Sequence, residues 1–125
     1  MVIEGLYYTE THEWLKVEGD VAFYGITDYA QHELGDIVYV ELPDEEEEIE
    51  AGEPFGSIEA VKAVEDLISP ISGEVVEVNE DLEDAPELIN ESAFENGWII
   101  KIKISDASEL DKLLNAEQYK KIIED

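Results

Sequence analysis

A short pattern that occurs twice restricts the architecture of this chain more than any other feature. Gly35-Asp36-Ile37-Val38-Tyr39-Val40 overlies Gly73-Glu74-Val75-Val76-Glu77-Val78 when the chain is slid by 38 positions. With a small insertion, Phe55-Gly56-Ser57-Ile58 overlies Asn96-Gly97-Trp98-Ile99. Each copy reads as a glycine, a strand, an acidic loop and a second Gly-led strand. A solenoid needs three or more units. Two copies point instead to two interlocked β-units closing into one flattened sandwich or barrel.

The segments around the repeat fit that plan. His12 to Glu18 reads as a strand, Gly19-Asp20 as a hairpin turn, and Val21 to Ile26 as the returning strand. Thr27 to Leu34 has the pattern of a short helix, with Thr27 or Asp28 as its cap and Gly35 at a left-handed C′ position. Ile37 to Leu42 is a strand stopped by Pro43, and the acidic run Asp44 to Glu48 reads as a solvated loop. Trp98 to Ile104 alternates apolar and cationic residues, as a half-buried strand does. Ser108-Glu109-Leu110-Asp111 has the form of a capping box for a helix through Leu114. A second helix, Ala116 to Ile123, groups Tyr119, Ile122 and Ile123. Both helices are expected outside the sheets, as a C-terminal cap over 106–124 on a core of 7–104.

Composition excludes several functions. The chain of 125 residues is sized for one domain, 1–125, and its 44% apolar content argues against disorder. It carries 34 acidic residues against 7 lysines, for a net charge of −27. Such a field repels phosphate backbones, so nucleic-acid binding is excluded, while basic partners are steered inward. Isoleucine and lysine without arginine fit a halophile poorly, which leaves a solubility role or a redesigned surface as origins of the charge. No apolar run reaches 18 residues, so no membrane span is expected. Met1 to Gly5 has no secretory or transit character, so the expected location is cytoplasmic or that of a mature organellar form. With no cysteine, the chain has no disulfide, thiolate metal site or thiol nucleophile. His12 and His32 lack metal-ligand spacing and read as surface or structural residues; no metal is expected. Without a heptad or a large apolar patch, the expected state is a monomer.

Lys62 stands midway between two apolar, strand-like segments. A cation at a hairpin tip suits a covalent attachment point better than it suits a core. Local propensity disagrees, because Glu59 to Glu65 has good helix formers and no Gly, Pro or Asn to make a turn. In a helix, Lys62 would be an ordinary solvated side chain paired with Glu59 or Glu65. Gly56 and Pro70-Ile71-Ser72-Gly73 argue for two short strands and a sharp reversal.

From Tyr7 to Ile123 the chain resembles the glycine cleavage system H protein family. The resemblance rests on Thr11-His12-Glu13-Trp14, on Gly25 to Gln31, on Leu34 to Pro43 and on Glu59-Ala60-Val61-Lys62-Ala63. It continues through Ser69 to Asn79, Glu87-Leu88-Ile89-Asn90 and Gly97 to Lys103. Ala60 departs from the usual Glu-Ser-Val-Lys-Ala, which bears on recognition by an attaching enzyme.

The resemblance implies a mainly β barrel-sandwich hybrid with a short internal helix and C-terminal helices. It implies a non-catalytic carrier with a lipoyl group in amide linkage to Lys62. The implied partners are a pyridoxal-phosphate glycine decarboxylase, a tetrahydrofolate-dependent aminomethyltransferase, an FAD-containing dihydrolipoamide dehydrogenase and a lipoate-attaching enzyme. A long arm raises the effective concentration of its reactive group at each partner. The loaded amine needs shelter from water, and a carboxylate would favour its protonated form. Glu13 and Asp66, with Thr11 as a hydroxyl partner, are the candidates. Two alternatives stand beside this reading: an H-like protein in lipoate relay, and an unmodified, redesigned H-protein scaffold.

Overall fold

Alternation in the sequence becomes two antiparallel sheets in the computed structural model, which describes residues 2–124. The first half contains β1 (Tyr7–Tyr8), β2 (Glu13–Glu18), β3 (Val21–Ile26), α1 (Asp28–Leu34), β4 (Ile37–Glu41) and β5 (Glu48–Ile49). Then come β6 (Pro54–Ala60), β7 (Val64–Ile68), β8 (Gly73–Val78), α2 (Asp81–Asp84), α3 (Leu88–Glu91) and β9 (Ile100–Ile104). A 3-10 turn (Ala107–Lys112) and α4 (Ala116–Glu124) follow. The larger sheet has the order β1-β2-β3-β9-β8-β5, and the smaller has β4-β6-β7.

The inner faces of the two sheets share one apolar core. Leu15, Tyr24, Val75 and Ile102 come from the larger sheet, and Ile37, Val40, Ile58 and Leu67 from the smaller. Burying each such side chain contributes about 1.5–3 kcal/mol. The ion pairs Lys16–Glu18 and Lys101–Glu77 lie at the surface, where such a pair contributes about 1 kcal/mol at most. Apolar burial, not charge pairing, therefore holds the sheets together. A smaller cluster of Tyr8, Trp14, Ala116 and Tyr119 fastens α4 to the opposite side of the larger sheet.

The repeat read from the sequence is present in the backbone. The first strand of each copy pairs with its own second strand, β4 with β6 and β8 with β9. In β4 the register runs Ile37 to Ala60, then Tyr39 to Glu59, so Val38 is bulged. In β8 it runs Val75 to Ile102, then Glu77 to Lys101, so Val76 is bulged. A shift of 38 carries one bulge onto the other. The second arms need a correction: Ile58 corresponds to Ile100, because they face Val40 and Val78 respectively. That is one residue beyond the overlay on Ile99.

Other boundaries also moved. The acidic run is not wholly free, because Glu46 donates its N–H to Val75 O and Glu47 O accepts from Val75, leading into β5. Gly35 has φ 81 and ψ −160, mirror-extended rather than left-handed helical. The last strand begins at Ile100, and Ile99 donates its N–H to Tyr24 O instead. The segment after it is a 3-10 turn capped by the Asp106 carboxylate rather than a helix opened by Ser108. In α4, Tyr119 is buried and Ile123 half-buried, but Ile122 faces solvent. The short helices α2 and α3 were not expected; they sit in an acidic stretch without a long periodic face.

Candidate functional site

The segment that local propensity favoured as a helix is the bend between β6 and β7. Ala60 donates its N–H to Ala63 O, and Glu59 faces Val64. Standard turn residues are absent because neighbours hold the bend. Val61 donates its N–H to Asp36 O at 3.0 Å, and Lys62 to Leu34 O at 3.4 Å. Lys62 is exposed at this tip, with its stem lying along the bare Gly35. Among the described residues, its ammonium has no hydrogen bond or ion pair, so neither Glu59 nor Glu65 holds it.

Beneath the tip is a cleft of about 740 Å³ between the 10–13 segment, α1 and β7. Leu34, whose carbonyl accepts from Lys62, also lines it. Its floor contains Ile26, Ile58 and Leu67, and its walls carry Thr11, Glu13, Tyr29, Glu33, Glu65 and Asp66. Apolar floor and acidic walls suit an apolar chain that ends in a cation.

Glu13 is 5% exposed, unusual for a carboxylate. Its Oε1 accepts from Thr11 Oγ1 at 2.5 Å and from Thr9 Oγ1 at 2.6 Å. Burial pushes its carboxyl above the ordinary range, and the Thr11 and Thr9 hydroxyls pull it partly back. The wall holding it is tied to the end of the fold. His12 has φ 70, a conformation that costs a non-glycine residue about 1–2 kcal/mol. His12 Nδ1 lies 2.9 Å from the Tyr119 hydroxyl, which is also 2.7 Å from Thr27 Oγ1. Thr27 in turn caps α1 by accepting from the Ala30 N–H. Burial lowers the affinity of His12 for a proton, opposed in part by Glu33, and pushes the Tyr119 phenol up to about 12.

The structure brings Thr11 and Glu13 into contact and places Asp66 on β7 across the cleft. Asp66 pairs with Ser57 and thus shares the outer face of the smaller sheet, where Ser57 donates to Glu41. Glu65 pairs with the buried Ile58, so it shares the face that turns to the cleft. Strand alternation outward from Leu67 was a signal that could have found Glu65. Thr9, Tyr29 and Glu33 had no such signal. Ala60 pairs with Ile37 and packs, half-buried, against the edge of the core. His32 is exposed in the last turn of α1. Among the described residues, no group of three or more His, Cys, Asp or Glu is placed to hold a metal, and no helix is long and apolar enough to cross a membrane.

A family model described as glycine cleavage H-protein matches residues 6–125. The glycine cleavage system H protein of Staphylococcus carnosus is 58% identical over 122 residues, covering 98% of this chain and 97% of that protein. A crystal structure of a glycine cleavage system H protein from Mycobacterium marinum superimposes with a TM-score of 0.88 at 36% identity. That match covers 96% of this chain and 97% of the other. The likeness includes the two sheets, the short helices and α4, the architecture of a barrel-sandwich hybrid.

Proposed function

This chain belongs to the glycine cleavage H-protein family, and on that premise we propose that Lys62 is its lipoyl attachment residue. In that family role it is the lipoyl carrier of the glycine cleavage system, working with the other enzymes of the system and not itself a catalyst. The observation that carries the Lys62 assignment is its geometry. The amine is exposed at a braced hairpin tip, has no partner among the described residues, and stands beside a cleft of about 740 Å³.

The residues present fit the group. When attached, the lipoyl dithiolane supplies the sulfur that accepts a one-carbon aminomethyl unit from glycine and passes it on. Lys62 provides the amide anchor and the reach. The floor of Ile26, Ile58 and Leu67 excludes water from a stowed arm. Glu13, positioned by Thr11, holds a protonated amine through a charge-assisted hydrogen bond. Glu65, and Asp66 at the rim, add negative charge from the opposite wall. The partners we propose are a pyridoxal-phosphate glycine decarboxylase, a folate-dependent aminomethyltransferase, an FAD-containing dihydrolipoamide dehydrogenase and a lipoate-attaching enzyme. The acidic surface steers the carrier toward basic docking faces on them. The 1–125 span serves as one carrier domain, with Met1 and Asp125 lying outside the described residues.

Intact-mass measurement after treatment with a lipoate-attaching enzyme and lipoate tests the assignment. One lipoyl increment is expected on the parent and none on Lys62→Arg, which keeps the charge but presents no primary amine. An increment that survives the substitution overturns it.

A further inference from the structure

The sheltering reading leaves a chemical question open: what keeps Glu13 charged inside its wall. The groups facing it offer no cation to do so. Glu10 and His12 lie on its own segment, Tyr29 and Glu33 on α1, Glu65 and Asp66 on β7, and the phenols of Tyr24 and Tyr119 behind it. Among the described residues, no lysine lines the cleft. Carboxylates nearby disfavour a further negative charge, as burial does. Hydrogen bonds from neutral donors are what remains to favour the ionised form.

Two hydroxyls supply them, and counting protons fixes their direction. Thr9 Oγ1 accepts the Glu13 backbone N–H at 3.0 Å, so its own proton is free to point at Glu13 Oε1, 2.6 Å away. Thr11 Oγ1 gives its proton to the same oxygen at 2.5 Å. With both protons committed, the 3.2 Å approach of the two threonine oxygens is a contact without a proton in it. Oε1 is saturated by this pair. Oε2 has no partner among the described residues, yet no buried side-chain oxygen there is left unsatisfied. Oε2 is therefore open to the cleft. Thr9 is also firmly placed: it follows β1, whose Tyr8 exchanges both backbone hydrogen bonds with Leu114, and its own N–H donates to Glu13 O.

We infer that Thr9 is a positioning residue, whose hydroxyl holds the Glu13 carboxylate ionised and turns its second oxygen toward the amine carried on the arm. This rests on the sheltering role proposed for Glu13. Thr9 touches neither arm nor load; it acts through Glu13. The directions of the proton-affinity changes agree, since both hydroxyls oppose the upward push of burial.

The first test uses the unmodified chain, following the Glu13 side-chain carboxyl by NMR across a pH titration. Thr9→Val is expected to move the Glu13 midpoint to higher pH, and Thr9→Ser to restore it. The second uses the lipoylated, aminomethyl-loaded carrier and measures ammonia release near neutral pH. Removing one hydrogen bond to a charged group corresponds to roughly tenfold, so Thr9→Val should release about tenfold faster and Thr9→Ser at the parent rate. If Thr9→Val alters the fold, Thr9→Ser against Thr9→Ala gives the same comparison with smaller changes in shape. An unmoved Glu13 midpoint, or a midpoint that Ser fails to restore, overturns the role of Thr9. Glu13→Gln separates the two claims. If it releases ammonia at the parent rate, the sheltering reading itself fails, whatever Thr9 does to the midpoint.

Discussion

The two β-units share a plan, down to a bulge at the same place, and differ in what they do with their outer faces. Beside the bulge, β8 and β9 present Glu77 and Lys101, joined by an ion pair of 3.0 Å. Lys101 also lies over the rings of Phe23 and Trp98. The corresponding row on β4, β6 and β7 is Tyr39, Glu59 and Val64. Tyr39 is 53% exposed and Val64 66%. One unit satisfies its face internally; the other leaves it open beside Lys62. The duplicated plan builds the fold, and the proposed attachment residue sits where the copies diverge.

The leading glycines should separate the copies most sharply. A methyl at Gly73 would come within 2.1 Å of Lys103 O, so the backbone itself must move. A methyl at Gly35 would first meet the flexible Lys62 stem at 3.5 Å, an ordinary contact, and its cost comes from φ 81. Gly73→Ala should destabilise by about 3 kcal/mol and Gly35→Ala by about 1–2 kcal/mol. Chemical denaturation checks both, and equal losses would erase the distinction.

A smaller difference concerns Glu13, which the larger sheet contributes to the cleft beside the smaller one. Because burial raises its carboxyl, the folded chain keeps that proton to higher pH than the unfolded chain. Its contribution to stability is complete below the ordinary carboxyl range and is lost as pH rises through the raised value. Glu13→Gln does not titrate. It should therefore unfold at a higher temperature than the parent near neutral pH, with the gap closing on acidification. Melting curves at fixed salt across that range decide the matter, and a gap that widens in acid contradicts it.

Weaker still are the outer rows. Lys101→Met should cost up to about 1 kcal/mol, less in high salt, whereas Glu59→Gln should stay within about 0.5 kcal/mol. The bulged valines should give the smallest effect and the same one. Val38→Thr and Val76→Thr are each expected within about 0.5 kcal/mol of the parent by denaturant midpoint. A large loss in one alone would mean that the bulges are not equivalent.

Much of this division was legible in the residues. Alternation and Gly19-Asp20 disclosed the β2–β3 hairpin, Thr27 the start of α1, and the 38-residue shift the paired units. What stayed hidden depends on contacts distant in sequence. The bend at Lys62 has no turn signature because Leu34 and Asp36 hold it. Asn90 looks unremarkable, yet it donates to Gln31 Oε1 and Gly35 O and accepts from the Ile37 N–H, clamping α1 to β4. Thr9 gave no hint either, since its partner is chosen by how β1 and β2 pair. Asp66 was singled out for its spacing from Lys62; on β7 it pairs with Ser57 and also borders the cleft.

The bond between His12 and Tyr119 joins residues 107 positions apart, and that separation sets an order of events during synthesis. The β6–β7 hairpin needs only neighbours and residues already made, so it can form while the chain is still emerging; contacts this local form fastest. Tyr119 is added long afterwards, and only then does the wall around Glu13 acquire its last fastening. A nascent chain thus displays Lys62, the proposed attachment residue, before the wall beside it is complete. Under the proposed assignment, an attaching enzyme could reach Lys62 at that stage, before the wall proposed to shelter a load is fastened.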